Sequence, residues 1–276
     1  MEPCARLLLA AALIGACVPY PGELPDDGRG RSFTGIVEGA YPGLDAGYNE
    51  TQALHFAVKA YGVDAVRSAA DRAEEAYNRI MTDTGLYSFK PRGLYQCVVY
   101  GTQDEYRKKT GQPDWSAGVA VGNALYTFVS PRMEGVISHE MTHLIWFEFM
   151  GGRMVQEQRW VNEGLAVYEE SKALDPQGRS ERFSSLSQLM RSQPIPMDQM
   201  MRLVPATERA YDVSLWYAQA ESMVRFMIQR GGRIGFSQFL LALRDGKDFD
   251  RATAEGFPGQ WRALADFELE WRRSLQ

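Results

Sequence analysis

The segment His139-Glu140-Met141-Thr142-His143 holds two of the chain's three histidines, four positions apart, with a glutamate beside the first. On a helix, residues four apart share a face about one turn from each other. Both imidazoles can then reach one metal ion, and the glutamate can take a proton from a water at that metal. The surroundings favour this reading over two ordinary core histidines. Met133, Val136, Ile137, Met141, Leu144, Ile145, Trp146, Phe147 and Phe149 cover nearly every face of the helix. A helix apolar all round is a buried one. From Gly135 to Phe147 the only ionisable residues are His139, Glu140 and His143. Burying them without partners would cost on the order of several kcal/mol, and a metal ion supplies the partner.

The helix has a start and a stop. Ser130 suits an N-cap and Pro131 a first helical position, while Gly151-Gly152 suits a stop. A catalytic zinc site takes three protein ligands and leaves a place for water. The segment Trp160-Val161-Asn162-Glu163-Gly164-Leu165-Ala166 supplies a third ligand in Glu163, 20 positions beyond His143. Its flanking Trp160, Leu165, Ala166 and Val167 suggest a packed segment and not a solvated charge.

The pair HExxH and NEGxA resembles the gluzincin metallopeptidases, the group that includes thermolysin and aminopeptidase N. The resemblance implies Zn²⁺ held by His139, His143 and Glu163, with Glu140 as catalytic base. It also implies a donor to the oxyanion from the following helices. Tyr217, opening Tyr217-Ala218-Gln219-Ala220, is similar to the tyrosine of the YxKG-like segment in aminopeptidase relatives, although Gln219 and Ala220 replace its Lys and Gly. A packed core tyrosine is the competing reading, and Tyr211 is the alternative donor. The GxMEN-type motif of aminopeptidases has no counterpart, since Gly122-Asn123-Ala124 stands there; this leans toward an endopeptidase or an unusual exopeptidase. Asn162 is the candidate partner for a ligand histidine.

Composition excludes several classes. The 276 residues are 45% apolar and 24% charged, an ordinary globular balance. A net charge of -5 gives no basic footprint for nucleic acid. Three cysteines without a CxxC give neither a disulfide framework nor a thiolate zinc site, and Cys97 in its apolar setting reads as an inert core thiol.

The first residues read as a targeting segment. Leu7 to Ala16 is an apolar run behind Arg6, too short to span a bilayer and suited to a signal-peptide core. Its end, Ile14-Gly15-Ala16-Cys17, resembles a bacterial lipobox, which implies lipidation of Cys17. The chain is then expected at the cell envelope, lipid-anchored and facing the periplasm or exterior; a secreted protein with an incidental cysteine is the alternative. Residues 1–17 are thus the signal and residues 18–50, rich in Pro, Gly and Asp, a flexible tether. Residues 51–276 form the peptidase MA-like domain implied by the resemblance.

Within that domain the pattern predicts a strand at Leu54–Tyr61 with His55 partly exposed, a helix at 63–81 and a buried strand at 94–100. A short helix at 104–109 follows, then a hairpin of 118–121 and 124–129 about Gly122-Asn123. Beyond the ligand helices come helical pieces at 180–191 and 197–203, a long helix at 208–230 stopped by Gly231-Gly232, and helices at 236–244 and 260–275. The fold class is α+β, gluzincin-like, with a small mixed sheet lobe, a mostly helical lobe and the zinc site in the cleft between them. Strand 124–129 is the candidate platform for an extended substrate, paired by β-augmentation; a purely structural hairpin is the alternative.

Three functions fit these residues. The first is a zinc metallopeptidase acting on a peptide or protein substrate. The second is a lipid-anchored peptidase fold, weak or inactive, that holds a partner. The third is a structural zinc site, although such sites are usually closed by four ligands.

Overall fold

The computed structural model describes residues 40–152, 155–174, 177, 187–188, 190–203 and 210–276, the side chains of residues 210–212 excepted. The signal segment with Cys17, the tether as far as residue 39 and most of the piece at 180–191 lie outside the described residues. None of the described helices is long and apolar enough to cross a membrane.

Five strands form one mixed sheet: β1 (Tyr48–Gln52), β2 (Phe56–Tyr61), β3 (Tyr95–Tyr100), β4 (Gly118–Val121) and β5 (Ala124–Phe128), in the order β1-β2-β3-β5-β4. β2, β3 and β5 run parallel, and the two edge strands run antiparallel to their neighbours. The parallel strands are joined through helices, as parallel pairing requires. Helix α1 (Val63–Thr84) links β2 to β3 and buries Val66, Ala69, Ala73, Ala76, Tyr77 and Ile80 in the main core. Helix α2 (Gln103–Thr110) is capped by Thr102, whose side chain accepts from the Glu105 N–H, and it stops at Gly111 in the left-handed conformation.

The opposite sheet face is covered by Tyr106 of α2 and by residues 40–47. Tyr41 packs edge-on to Tyr126 with ring centres 5.2 Å apart, and Tyr100 donates to the Pro42 carbonyl at 2.7 Å. The folded region therefore begins before residue 51, and β1 itself starts at Tyr48. His55 precedes β2 by one residue; its ring lies 2.7 Å from Glu74 Oε2 and stacks on Tyr77.

Helix α3 (Met133–Phe149) carries the HExxH residues and α4 (Arg159–Lys172) carries Glu163. α3 starts two residues later than expected. The N-cap is Arg132 and not Ser130, with no side-chain cap bond; the Ser130 carbonyl closes the preceding turn by accepting from the Met133 N–H at 3.1 Å. Its end is as expected, with Gly151 and Gly152 both at positive φ. Further helices among the described residues include α5 (Met197–Arg202), α6 (Ala210–Arg244), α7 (Phe249–Gly256) and α8 (Leu264–Ser274). The Gly231-Gly232 stop is a kink inside α6: Gly232 has φ 74°, and helix resumes at once. A Cβ on Gly231 would stand 2.1 Å from the Phe257 ring, so glycine lets the kink close on that ring. α3 packs against β4, β5 and α1 on one side and α4 on the other, while α4 packs against α6. The α3–α4 seam thus joins the sheet lobe to the helical lobe.

Candidate metal centre

His139, Glu140 and Glu163 are buried within this seam, and His143 is nearly so. One ligand atom from each of His139, His143 and Glu163 lies within 4.8 Å of the others, among the described residues. Glu163 Oε2 is 4.0 Å from His139 Nε2 and 3.7 Å from His143 Nε2. The two rings stand nearly perpendicular with centres 4.9 Å apart, as two ligands converging on one point from successive turns would.

The other ring nitrogens are held from behind. His139 Nδ1 lies 3.2 Å from Glu170 Oε2, and His143 Nδ1 lies 3.1 Å from Asn162 Oδ1. Both partners accept, so each ring keeps its proton on Nδ1 and turns the lone pair of Nε2 toward Glu163. Asn162 was legible in the sequence; Glu170 was missed. It sits seven positions beyond Glu163, two turns along α4 on the same face, and that spacing was the available signal.

Glu163 Oε2 is buried and has no hydrogen-bond partner among the described residues. A buried carboxylate oxygen without a donor is costly. A cation placed between it and the two Nε2 atoms removes that cost. Two imidazole nitrogens and one carboxylate oxygen are a donor set suited to Zn²⁺. The residues therefore fit a metal ion, and the three predicted ligands are brought together as expected.

Glu140 points to the sheet side of the seam. The Ala120 N–H of β4 donates to its carboxylate. A Cβ on Gly118 would stand 2.5 Å from Val136 and 3.0 Å from Glu140 Cγ, so glycine permits this approach of β4 to α3. Burial pushes the Glu140 carboxyl up to about 7, with His139 opposing the rise. Burial also works against the charged form of both rings. For His139 the Glu170 carboxylate outweighs it and the net shift is upward; for His143 burial prevails and the shift is downward.

One expectation is corrected. Strand 124–129 cannot receive a substrate, because β5 is flanked by β3 and β4. Among the described residues the edge strand beside α3 is β4. In the two-residue hairpin, Val119 and Val121 turn their backbone groups to β5, so Gly118 and Ala120 turn theirs outward.

Tyr217 is buried on α6, edge-on to Trp216. It shares a face with Ala220 and Val224, and these press against Gly164, where a Cβ would stand 2.4 Å from the Ala220 carbonyl oxygen. By helical periodicity Tyr217 is thus on the α6 face that meets α4. The side chain of Tyr211 lies outside the described residues. Gln219 plays a structural part, since its amide donates to the Ile195 carbonyl at 2.7 Å and accepts from the Ile195 N–H at 2.8 Å. Cys97 is fully buried, and burial pushes its thiol up to about 12, as expected of an inert core cysteine.

A small mixed sheet, a helical lobe and a His-His-Glu group on paired helices define a gluzincin-type peptidase fold. Residues 72–276 match the Peptidase MA superfamily, and the chain belongs to it. Comparison with curated proteins found no match.

Proposed function

We propose that this protein is a zinc-dependent metallopeptidase. The observation that carries the reading is the buried Glu163 Oε2, without a hydrogen bond among the described residues, facing two Nε2 atoms whose rings are each held from behind. His139, His143 and Glu163 hold the ion. When bound, zinc supplies positive charge that polarises a carbonyl and acidifies water. Glu140 accepts the proton of the attacking water and passes it to the leaving amine. A base pushed to about 7 suits proton transfer near neutral pH. The outward Ala120 carbonyl of β4, whose own N–H is held by Glu140, accepts from an extended peptide substrate and lays its backbone beside Glu140. Tyr217 donates to the oxygen that gains charge during attack. The resemblance of Ile14-Gly15-Ala16-Cys17 to a lipobox supports anchoring through Cys17 to a bacterial envelope membrane.

Metal analysis of the purified protein is expected to give about one zinc, removable by chelator. Glu140→Gln keeps size and hydrogen bonding but cannot accept the proton. It should retain zinc and lose peptide hydrolysis by about 10²–10⁴. Hydrolysis at the parent rate would move the base elsewhere, and a parent protein that binds zinc yet cleaves no peptide would favour the binding-module reading. Tyr217→Phe should retain zinc and fold while losing about 10²–10³ in kcat. If Tyr217→Phe stays within a few-fold and Tyr211→Phe falls instead, the donor is Tyr211.

A further inference from the structure

Behind the ligand pair lies a charged cluster that the proposed chemistry does not use. Arg79 reaches in from α1. Its Nε donates to Glu169 Oε2 at 3.0 Å, and its Nη2 donates to Ser138 Oγ at 2.6 Å. Nη2 also lies 3.5 Å from the Glu169 carbonyl oxygen. Ser138 donates its own proton to the Glu134 carbonyl at 3.0 Å, so its lone pairs are left for the arginine. Ser138 and Glu169 are both buried, Glu169 completely.

The two partners of Arg79 occupy telling positions. Ser138 immediately precedes His139 on α3. Glu169 immediately precedes Glu170 on α4, and Glu170 is the carboxylate behind His139. The planar guanidinium spans both helices at once, which one ammonium group could not do in the same geometry. We infer that Arg79 is a positioning residue for the metal site: one guanidinium sets the spacing between the turn of α3 that bears His139 and the turn of α4 that bears Glu170. This rests on the metal reading above and extends it to a third helix, α1, which contributes no ligand.

The rest of the cluster explains why the bridge falls to Arg79. Asp83 faces Glu169 as a second buried carboxylate, and it is paired with Lys172 and with Arg233 at 3.6 Å. Lys172 and Arg233 thus serve Asp83. Of these three cations, Arg79 alone contacts α3 as well as Glu169.

A merely structural ion pair would also destabilise the fold when broken, so stability must be separated from metal binding. Arg79→Met leaves Glu169 buried and unpaired and is expected to lower Tm. The double variant Arg79→Met/Glu169→Leu removes the stranded charge and should recover most of that loss. Arg79→Lys keeps the charge and loses the bridge. Zinc affinity of the full chain is measured for all of them by competition with a chromogenic chelator. In both the double variant and Arg79→Lys, affinity should fall about 10- to 100-fold although the fold is intact, the usual effect of losing a group that orients a ligand. Parent-like zinc affinity in either variant would overturn the clamp and leave the metal site standing. A parent chain that takes up no zinc would overturn the metal reading itself, and the clamp with it.

Discussion

His139 and His143 sit one turn apart on the same helix and face the same carboxylate, yet they are held differently. The ring of His139 is backed by an anion, Glu170, and that of His143 by a neutral amide, Asn162. Burial disfavours the charged form of both. Among the described residues a carboxylate stands behind His139 and an amide behind His143, and of the two rings His139 is the one shifted upward. An acceptor with full negative charge makes its imidazole more basic and a stronger donor to a metal. The two histidines of one motif are therefore unequal, and the inequality is set from α4, not from α3.

The largest effect comes from removing what the two rings share. Glu163→Ala deletes the carboxylate facing both Nε2 atoms and should empty the site. Zinc near one equivalent in this variant would mean the third ligand lies elsewhere. A smaller effect sharpens the inequality. Glu170→Gln keeps the acceptor oxygen but loses the charge and should weaken zinc binding by about 10- to 100-fold. Asn162→Ala removes a neutral partner and should fall at the lower end, about tenfold. Equal losses, or a greater loss at Asn162, would contradict the ranking. Each is read by chelator competition on folded protein.

The part of this arrangement legible in the sequence is the part carried by local spacing. The two histidines are one turn apart, Glu163 lies in a packed segment, and Asn162 adjoins it. The hairpin about Gly122-Asn123 is equally local, with Gly122 at φ 63°. What lay beyond reach depends on where distant elements meet. The hairpin pattern does not reveal that β5 pairs with β3 and is thereby covered, leaving β4 as the edge. β1 is short, polar and half exposed, so it lacks the apolar alternation that marks a buried strand. Residues 40–47 look like linker because their anchors, Tyr100, Tyr126 and Lys109, come from later elements. Arg79 meets Ser138 and Glu169 across 59 and 90 positions, and no local pattern announces that. The double glycine at 231–232 does mark a break, but the kink is absorbed by packing on Phe257 and the helix continues.

The finest effect is the difference between the two rings themselves. In chelated protein, His139 should hold its proton to a pH above 6.5, since its shift is upward, and His143 should lose its proton below 6.5. The cause is asymmetric, so the response to mutation must be too. Glu170→Gln removes the anion behind His139 and should bring that ring down, while His143 should not be pulled down with it. A proton on His139 itself disfavours one on His143, so relieving it can only let the second ring rise slightly. Glu140, pushed up to about 7 by burial, titrates in the same window. The rings are therefore best followed in the Glu140→Gln background, by the NMR shifts of their carbon-bound protons. His55→Gln removes the third histidine signal, and His139→Gln assigns the first. Titration of the two rings at one pH, or with His143 above His139, would mean that the anion behind the site does not act on His139.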